Sequence, residues 1–267
     1  MTADTEPADV ETASVDRSGI GRFSRLAPGA FVFAGLFAFL ATYGIRRLSV
    51  PLADATYQHQ FPYFRFPVTL FPHWVEPVTL RPTALFGLKP AVLIATLGLW
   101  TGAVVVMALA SGFIWWHLEG DEQSSGRITA LGRRFGWTSV LAVGAIVVTV
   151  GTTDLLYRLS VPRVLGEFVL AVAFGRAFVA PVTIITDGRG PIEAIRWSNR
   201  AIGDAGKTST TVGIVLVVAF FRYFSTVLSG IFGSWGVLAF SVIAGTALLG
   251  TVHAFAMLYI YNQVDTQ

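Results

Sequence analysis

Long apolar runs dominate the chain and recur six times between residues 26 and 261. A transmembrane helix needs about 20 mostly apolar residues, because each residue adds about 1.5 Å and the hydrocarbon core is about 30 Å thick. All six runs reach this length, and the first two contain no charged residue. The pattern predicts an all-α polytopic membrane protein. The predicted spans are 26–45, 90–117, 135–156, 164–185, 209–233 and 236–261.

The composition agrees with this class, since 54% of the residues are hydrophobic and only 13% are charged. Ten Lys and Arg residues flank the spans on the side of both termini, and seven flank them on the opposite side. Because cytoplasmic loops carry an excess of Lys and Arg, both termini are predicted to be cytoplasmic, in the cell membrane. This orientation accounts for the net charge of +3 without a nucleic-acid partner.

Two segments outside the spans have patterns of their own. Residues 1–25 begin with an acidic stretch and are predicted to be a disordered cytoplasmic tail. Residues 46–89 form a predicted external loop, in which every fifth residue from Pro62 to Pro82 is proline. Because proline lacks an amide hydrogen and disfavours helix before it, this repeat excludes helix from 61 to 85. We expect a non-helical, aromatic-rich cap on the outer mouth of the helix bundle.

A third segment, 191–203, predicts a short amphipathic helix. Ile192, Ile195 and Ile202 fall on one helical face, and charged residues fall on another. Such a helix is typical of the membrane surface, here on the cytoplasmic side.

Two arginines lie near mid-depth in the predicted spans, Arg176 in the fourth and Arg222 in the fifth. Ionisable groups at this depth are costly and often functional. No carboxylate in the six spans shares their depth, so they are candidate binding residues for an anionic group, such as a lipid phosphate or an acidic metabolite. The alternative is that backbone carbonyls, water and hydroxyls such as those of Ser225 and Thr226 satisfy both guanidinium groups.

Four further ionisable residues lie near the outer surface and are predicted to form structural ion pairs. Asp154 and Arg158 are four residues apart, which puts both side chains on one helical face. These candidates are Asp154, Arg158, Arg163 and Glu167.

The chain lacks the usual signs of catalysis. It has no cysteine, and no metal-ligand spacing or nucleophile motif occurs in it. A glycine-lysine-threonine sequence ends at Thr208, but the phosphate-binding loop needs glycine where Ala201 stands. A haem held by His117 and His253 is conceivable, although a packed histidine is commoner. We therefore predict no enzyme activity, no catalytic residue, no metal and no cofactor.

The stretch from 175 to 267 resembles a broad superfamily of uncharacterised prokaryotic membrane proteins, which includes the membrane region of some glycerophosphodiester phosphodiesterases. A span that ends with proline, an acidic turn rich in small residues, an "EA-x-x-x-S" element and a late tyrosine carry the resemblance. It implies an all-helical domain of about six spans, and the hydrolase domain of the fused members has no counterpart here. The matching residues are Pro181, Asp187, Gly188, Gly190, Glu193, Ala194, Ser198 and either Tyr259 or Tyr261.

The sequence favours a non-enzymatic membrane scaffold or partner protein, with the lipid bilayer and another membrane protein or an anionic lipid as partners. The alternative is a transporter or lipid-handling protein that binds an anionic group through Arg176 and Arg222. Broken helices would favour this alternative, and Pro181 could break the fourth span.

Overall fold

The computed structural model describes residues 17–56, 68, 70–71, 90–119, 128–159, 163–232 and 235–266. Within these residues the chain forms α-helices and no strand, which confirms the predicted all-α class. The helices are α1 (Arg17–Thr56), α2 (Pro90–Glu119), α3 (Ile128–Arg158), α4 (Arg163–Arg176), α5 (Ala180–Thr186), α6 (Pro191–Asp204), α7 (Thr208–Phe232) and α8 (Trp235–Asp265).

Five stretches of the described residues are long and apolar enough to cross a membrane, and α6 with α7 makes a sixth when the bent pair is counted as one. The axes of α6 and α7 differ by 116°. With 25 residues, α7 is about 37 Å long, enough to cross the hydrocarbon core without α6. The protein is therefore a polytopic membrane protein, as the apolar runs predict.

The long helices form a closed ring. In the order α1, α2, α3, α4, α7, α8, each packs against the next, and α8 packs back against α1. The short helix α5 contacts α2, α3 and α8, and six of its seven residues are buried, so it fills the ring from within. Phe23 contacts Phe255, and Gly35 lies against Ile243, so α1 and α8 run antiparallel. The chain thus enters and leaves at one end of the ring.

We call this end the basic end, because ten Lys and Arg residues flank the helices on this side in the sequence and seven flank them on the opposite side. It comprises the start of α1, α3 and α7, the end of α2, α5 and α8, and the whole of α6. Its described basic residues are Arg25, Arg133, Arg134, Arg176, Arg189, Arg196, Arg200 and Lys207.

Helix boundaries differ from the predicted ones at α1. The helix begins at Arg17, inside the predicted tail, and continues to Thr56, eleven residues beyond the predicted end of the first span. Phe23 is buried against α8, and this tertiary contact extends the helix towards its start. The helix continues after the apolar run ends, through 46–50, which contain neither proline nor glycine, and past Pro51 to Thr56. The remainder of the predicted tail, 1–16, lies outside the described residues.

The fourth predicted span is broken into two helices. Residues 177–179 form a turn between α4 and α5, and Pro181 stands in the first turn of α5. Proline suits this position because the first amides of a helix have no intrahelical partner. The break is enclosed by the protein, since Phe178, Val179 and Ala180 are fully buried.

Candidate functional site

A cluster of polar side chains joins three helices at the basic end. Asp187 follows α5, and its Oδ1 accepts hydrogen bonds from the Tyr261 hydroxyl of α8 at 2.7 Å and from the Thr186 hydroxyl at 2.8 Å. Its Oδ2 accepts a hydrogen bond from Nε of Arg189 at 2.8 Å. The guanidinium of Arg189 lies 4.7 Å above the ring of Trp197, a residue of α6. We call Thr186, Asp187, Arg189, Trp197 and Tyr261 the Asp187 cluster.

The turn at the cluster requires glycine. Gly188 has a φ of +73°, in the left-handed region that side chains disfavour, and the amide of Arg189 donates back to the carbonyl of Thr183 at 3.5 Å. This is the usual way in which a glycine ends a helix. Gly190 has an extended conformation, φ −68° and ψ 156°, and precedes Pro191 at the start of α6. The glycines therefore let the chain reverse between α5 and α6.

Arg134 of α3 supports the same turn from the other side. Its Nη1 donates to the carbonyl of Ile185 at 2.7 Å and to that of Thr186 at 3.0 Å. These carbonyls belong to the last turn of α5, where the helix dipole is negative, so a cation is stabilising there. The guanidinium also packs against Gly188, where an added Cβ would lie 3.1 Å from Nε.

A second group of contacts surrounds Arg176 where α4 ends. Its Nη1 donates to the hydroxyl of Thr208, the first residue of α7, at 3.1 Å. Its backbone carbonyl accepts a hydrogen bond from the Ser198 hydroxyl of α6 at 2.8 Å. The guanidinium packs so closely on Gly203 that a Cβ there would overlap Nη1. Arg176 therefore joins α4, α6 and α7.

Anion binding by Arg176 and Arg222 remains a prediction. Residue 222 lies 14 residues beyond Thr208 on α7, about 21 Å along the axis, and its side chain lies outside the described residues. The described hydroxyl partner of Arg176 is Thr208, whereas the sequence suggested Ser225 and Thr226.

Of the four residues predicted to form ion pairs near the opposite end, the structure describes one side chain, that of Glu167. Glu167 is buried in α4. The side chains of Asp154, Arg158 and Arg163 lie outside the described residues. These ion pairs therefore also remain a prediction.

The two histidines occupy different surroundings. His117 is exposed at the end of α2, its Nδ1 lies 3.2 Å from the carbonyl of Phe113, and its ring packs against Phe113 and Trp116. His253 is 2% exposed, packs edge-on against Phe178 in the α4–α5 break, and its Nε2 lies 3.0 Å from the carbonyl of Leu70.

Part of the predicted external loop enters the protein. Val68, Leu70 and Phe71 are non-helical and nearly fully buried in the main hydrophobic core. His253, the partner of Leu70, lies 18 residues after the start of α8, about 27 Å along its axis. Irregular backbone at such depth is tolerated where protein surrounds it. The prolines of the repeat, with the rest of the predicted cap, lie outside the described residues.

The resembling segment supplies most of the contacts at the basic end. Of the two candidate tyrosines, Tyr261 bonds Asp187, whereas Tyr259 is exposed and stacks on Phe255. Ala194 and Ser198 are fully buried on the inner face of α6, and Glu193 is exposed in its first turn. Sequence reasoning identified these positions but missed Arg134 and Arg189 as their partners. The sequence around Arg134 does not indicate this contact, because 51 residues separate Arg134 from Ile185, whose carbonyl it binds.

No family model, no curated protein and no solved structure matches this chain. The resemblance of residues 175–267 to a superfamily of membrane proteins therefore stays a hypothesis. Among the described residues, no group of three or more His, Cys, Asp and Glu side chains is arranged to hold a metal ion.

Proposed function

We propose that the protein is a non-enzymatic membrane scaffold that assembles with a second copy of itself through the outward face of α3. The observation that carries the proposal is a stripe of exposed residues spaced by four along this helix. It comprises Gly132, Gly136, Val140, Gly144 and Val148. We call these residues the α3 stripe.

The fold itself makes little use of these glycines. A Cβ added to Gly132, Gly136 or Gly144 would meet no atom within 4 Å. Glycine within a helix costs about 0.5–1 kcal/mol relative to alanine, so three exposed glycines weaken α3 with no internal contact in return. Glycines spaced by four let two membrane helices approach closely, which supports a helix partner at this face.

The enclosure of the spans also supports α3 as the contact helix. In the apolar window of its span, Thr129–Thr149, 22% of the residues are buried by the protein, whereas the corresponding share is 39% to 72% in the other four single spans. The same stripe on two copies can pair about a twofold axis, the commonest symmetry of oligomers. A second copy is therefore the simplest partner with the required surface.

Cysteine cross-linking in proteoliposomes tests this proposal directly. The chain has no cysteine, so each introduced cysteine is its only thiol. We expect oxidation to cross-link Val140→Cys on the α3 stripe into a dimer, but not Phe240→Cys, which is 74% exposed on α8. The dimer should persist when lipid is added in excess, because collision products disappear on dilution.

A matched pair of glycine variants separates close packing from chance contact. Gly144→Leu should abolish the Val140→Cys dimer, because a leucine would hold the two backbones apart. Gly98→Leu, at an exposed glycine of α2 that is also without neighbours within 4 Å, should leave it intact. A protein that stays monomeric at every protein-to-lipid ratio would overturn the proposal.

We further propose that the basic end faces the cytoplasm and that the protein resides in the cell membrane. The excess of Lys and Arg on this side in the sequence, ten against seven, supports the orientation. A fluorescent protein fused after residue 267 should fold and fluoresce, and alkaline phosphatase fused there should be inactive. The reverse pattern would place both termini outside.

A transporter or lipid-handling protein is the second candidate. Arg176 favours it, since no carboxylate among the described residues forms an ion pair with this half-buried guanidinium. Native mass spectrometry of the detergent-purified protein beside Arg176→Leu and Arg222→Leu tests this candidate. A defined anionic adduct lost in both folded variants would support it, and an adduct-free wild type would argue against it.

A further inference from the structure

Arg189 is held in one orientation although its side chain is 28% exposed. Nε is committed to Asp187, and the guanidinium plane rests on Trp197. The terminal nitrogens, Nη1 and Nη2, make no hydrogen bond with the described residues. They form the planar fork that suits two oxygens of a phosphate or carboxylate.

The surrounding residues keep this fork in place. Asp187 is fixed by the hydroxyls of Thr186 and Tyr261, and the ring of Tyr261 lies 5.9 Å from that of Trp197. Arg189 is thus linked through Asp187 to α8 and through Trp197 to α6. A side chain that is already ordered loses less conformational entropy on binding a ligand than a free surface arginine does.

The charge at the turn suits a monoanion. Arg134 and Arg189 are positive and flank Gly188, and Asp187 is the one carboxylate in contact with them among the described residues. The three side chains therefore carry a net charge of one positive. The exposed charges of α6 add nothing, because two acidic residues balance two basic ones. They are Glu193, Arg196, Arg200 and Asp204.

The adjacent helix has exposed apolar side chains on another of its faces. On α6, Ile192 is 68% exposed and Ile195 is 38% exposed, while Ala194, Ser198 and Ile202 are buried against the protein. Exposed isoleucines on an amphipathic helix partition into the boundary between head groups and acyl chains. Arg189 lies two residues before α6, which places the turn near this boundary, but its guanidinium rests on Trp197, on a different side of α6 from Ile192 and Ile195.

We propose that Arg189, with Arg134 beside it, binds the phosphodiester of an anionic phospholipid at the basic end. Asp187, Trp197 and Tyr261 act as positioning residues that orient the guanidinium. A phosphodiester carries one negative charge and offers two oxygens to the guanidinium fork. This site is distinct from Arg176 and does not depend on assembly through α3.

Native mass spectrometry with dioleoylphosphatidylglycerol tests the site in the full-length protein in detergent. The wild type should bind one lipid molecule more tightly than the rest. Arg189→Gln should weaken this binding about tenfold, as expected for the loss of a charge-assisted bidentate contact. Arg196→Gln removes an equal charge from exposed α6 and should change the affinity less than about twofold.

The positioning residues have a matched control on the same helix. Tyr261→Phe removes the hydroxyl that holds Asp187, and it should weaken lipid binding several-fold while Arg189 remains. Tyr259→Phe alters an exposed tyrosine that stacks on Phe255 and should have no effect. If Tyr261→Phe fails to fold, Arg189→Lys keeps the charge but loses the planar fork, and it should still bind more weakly than wild type.

Three outcomes would overturn the proposal. One is lipid binding by Arg189→Gln that equals the wild type. Another is an equal loss in Arg189→Gln and Arg196→Gln, which would mean that only total charge matters. The third is displacement of the lipid by a modest excess of inorganic phosphate, which would make free phosphate the ligand.

Discussion

Substitution of Gly35 by alanine should force α1 and α8 apart. A Cβ at this position would lie 2.9 Å from both the Cα and the carbonyl oxygen of Ile243. These are backbone atoms of α8, so no side-chain rotation can relieve the contact. The two helices form one of the most extensive contacts of the ring, and Gly35 stands within it.

The cost can be estimated from an overpacked core, where an added methyl group typically destabilises by about 1–3 kcal/mol. Alanine is also a better helix former than glycine by about 1 kcal/mol, which partly masks this cost. Gly29→Ala is the matched control, because Gly29 lies on the same helix and no atom falls within 4 Å of its added Cβ. The difference between the two variants therefore isolates the packing penalty.

Reversible unfolding in mixed micelles of SDS and a mild detergent measures this difference. Gly35→Ala should have a free energy of unfolding about 1–3 kcal/mol below that of Gly29→Ala. Gly250→Ala should fall between them, since its added Cβ would meet the Met107 Cε and the Phe31 ring, which can move. Equal stability of Gly35→Ala and Gly29→Ala would refute the close approach of α1 to α8.

Two further predictions concern the turn after α5 and the buried loop segment. Gly188→Ala should destabilise the protein by about 1 kcal/mol because of its positive φ, whereas Gly190→Ala, with φ −68°, should be nearly neutral. Thermal unfolding in detergent compares the two variants, and equal midpoints would contradict the turn geometry. Leu70→Cys should react slowly with a membrane-impermeant maleimide, because residue 70 is buried. The reaction should be several-fold faster when His253→Phe also removes the contact with the carbonyl of residue 70. Fast labelling of Leu70→Cys with His253 in place would show that the segment is not buried.

The sequence predicted the helices of the ring because membrane burial is a local requirement. Each span must satisfy its own backbone hydrogen bonds and present about 20 apolar residues, and both properties can be read along the chain. The boundaries of α1 were less accurate, since contacts such as Phe23 with Phe255 lengthen a helix without adding apolar residues to the span. The fourth span was predicted as one run with a possible break at Pro181, and the structure has the turn at 177–179, just before this proline.

The candidate site depended on partners that are far apart in sequence. Asp187 and Tyr261 were singled out separately, but 74 residues separate them, and only the antiparallel return of α8 brings the hydroxyl to the carboxylate. The choice of Tyr261 over Tyr259 is likewise a matter of helical rotation, since residues two apart on a helix face different sides.

Local chemistry therefore determined what the chain could settle alone: that its long helices lie in a membrane, and roughly how many there are. Only the tertiary structure decided that Arg134 contacts the last turn of α5, that Arg176 binds the hydroxyl of Thr208, and that Leu70 is buried beside His253. Hydropathy and helix propensity depend on neighbours along the chain, whereas these contacts depend on how the ring of helices closes. An exposed stripe on α3 and a fixed guanidinium at Arg189 become visible only once that ring is formed.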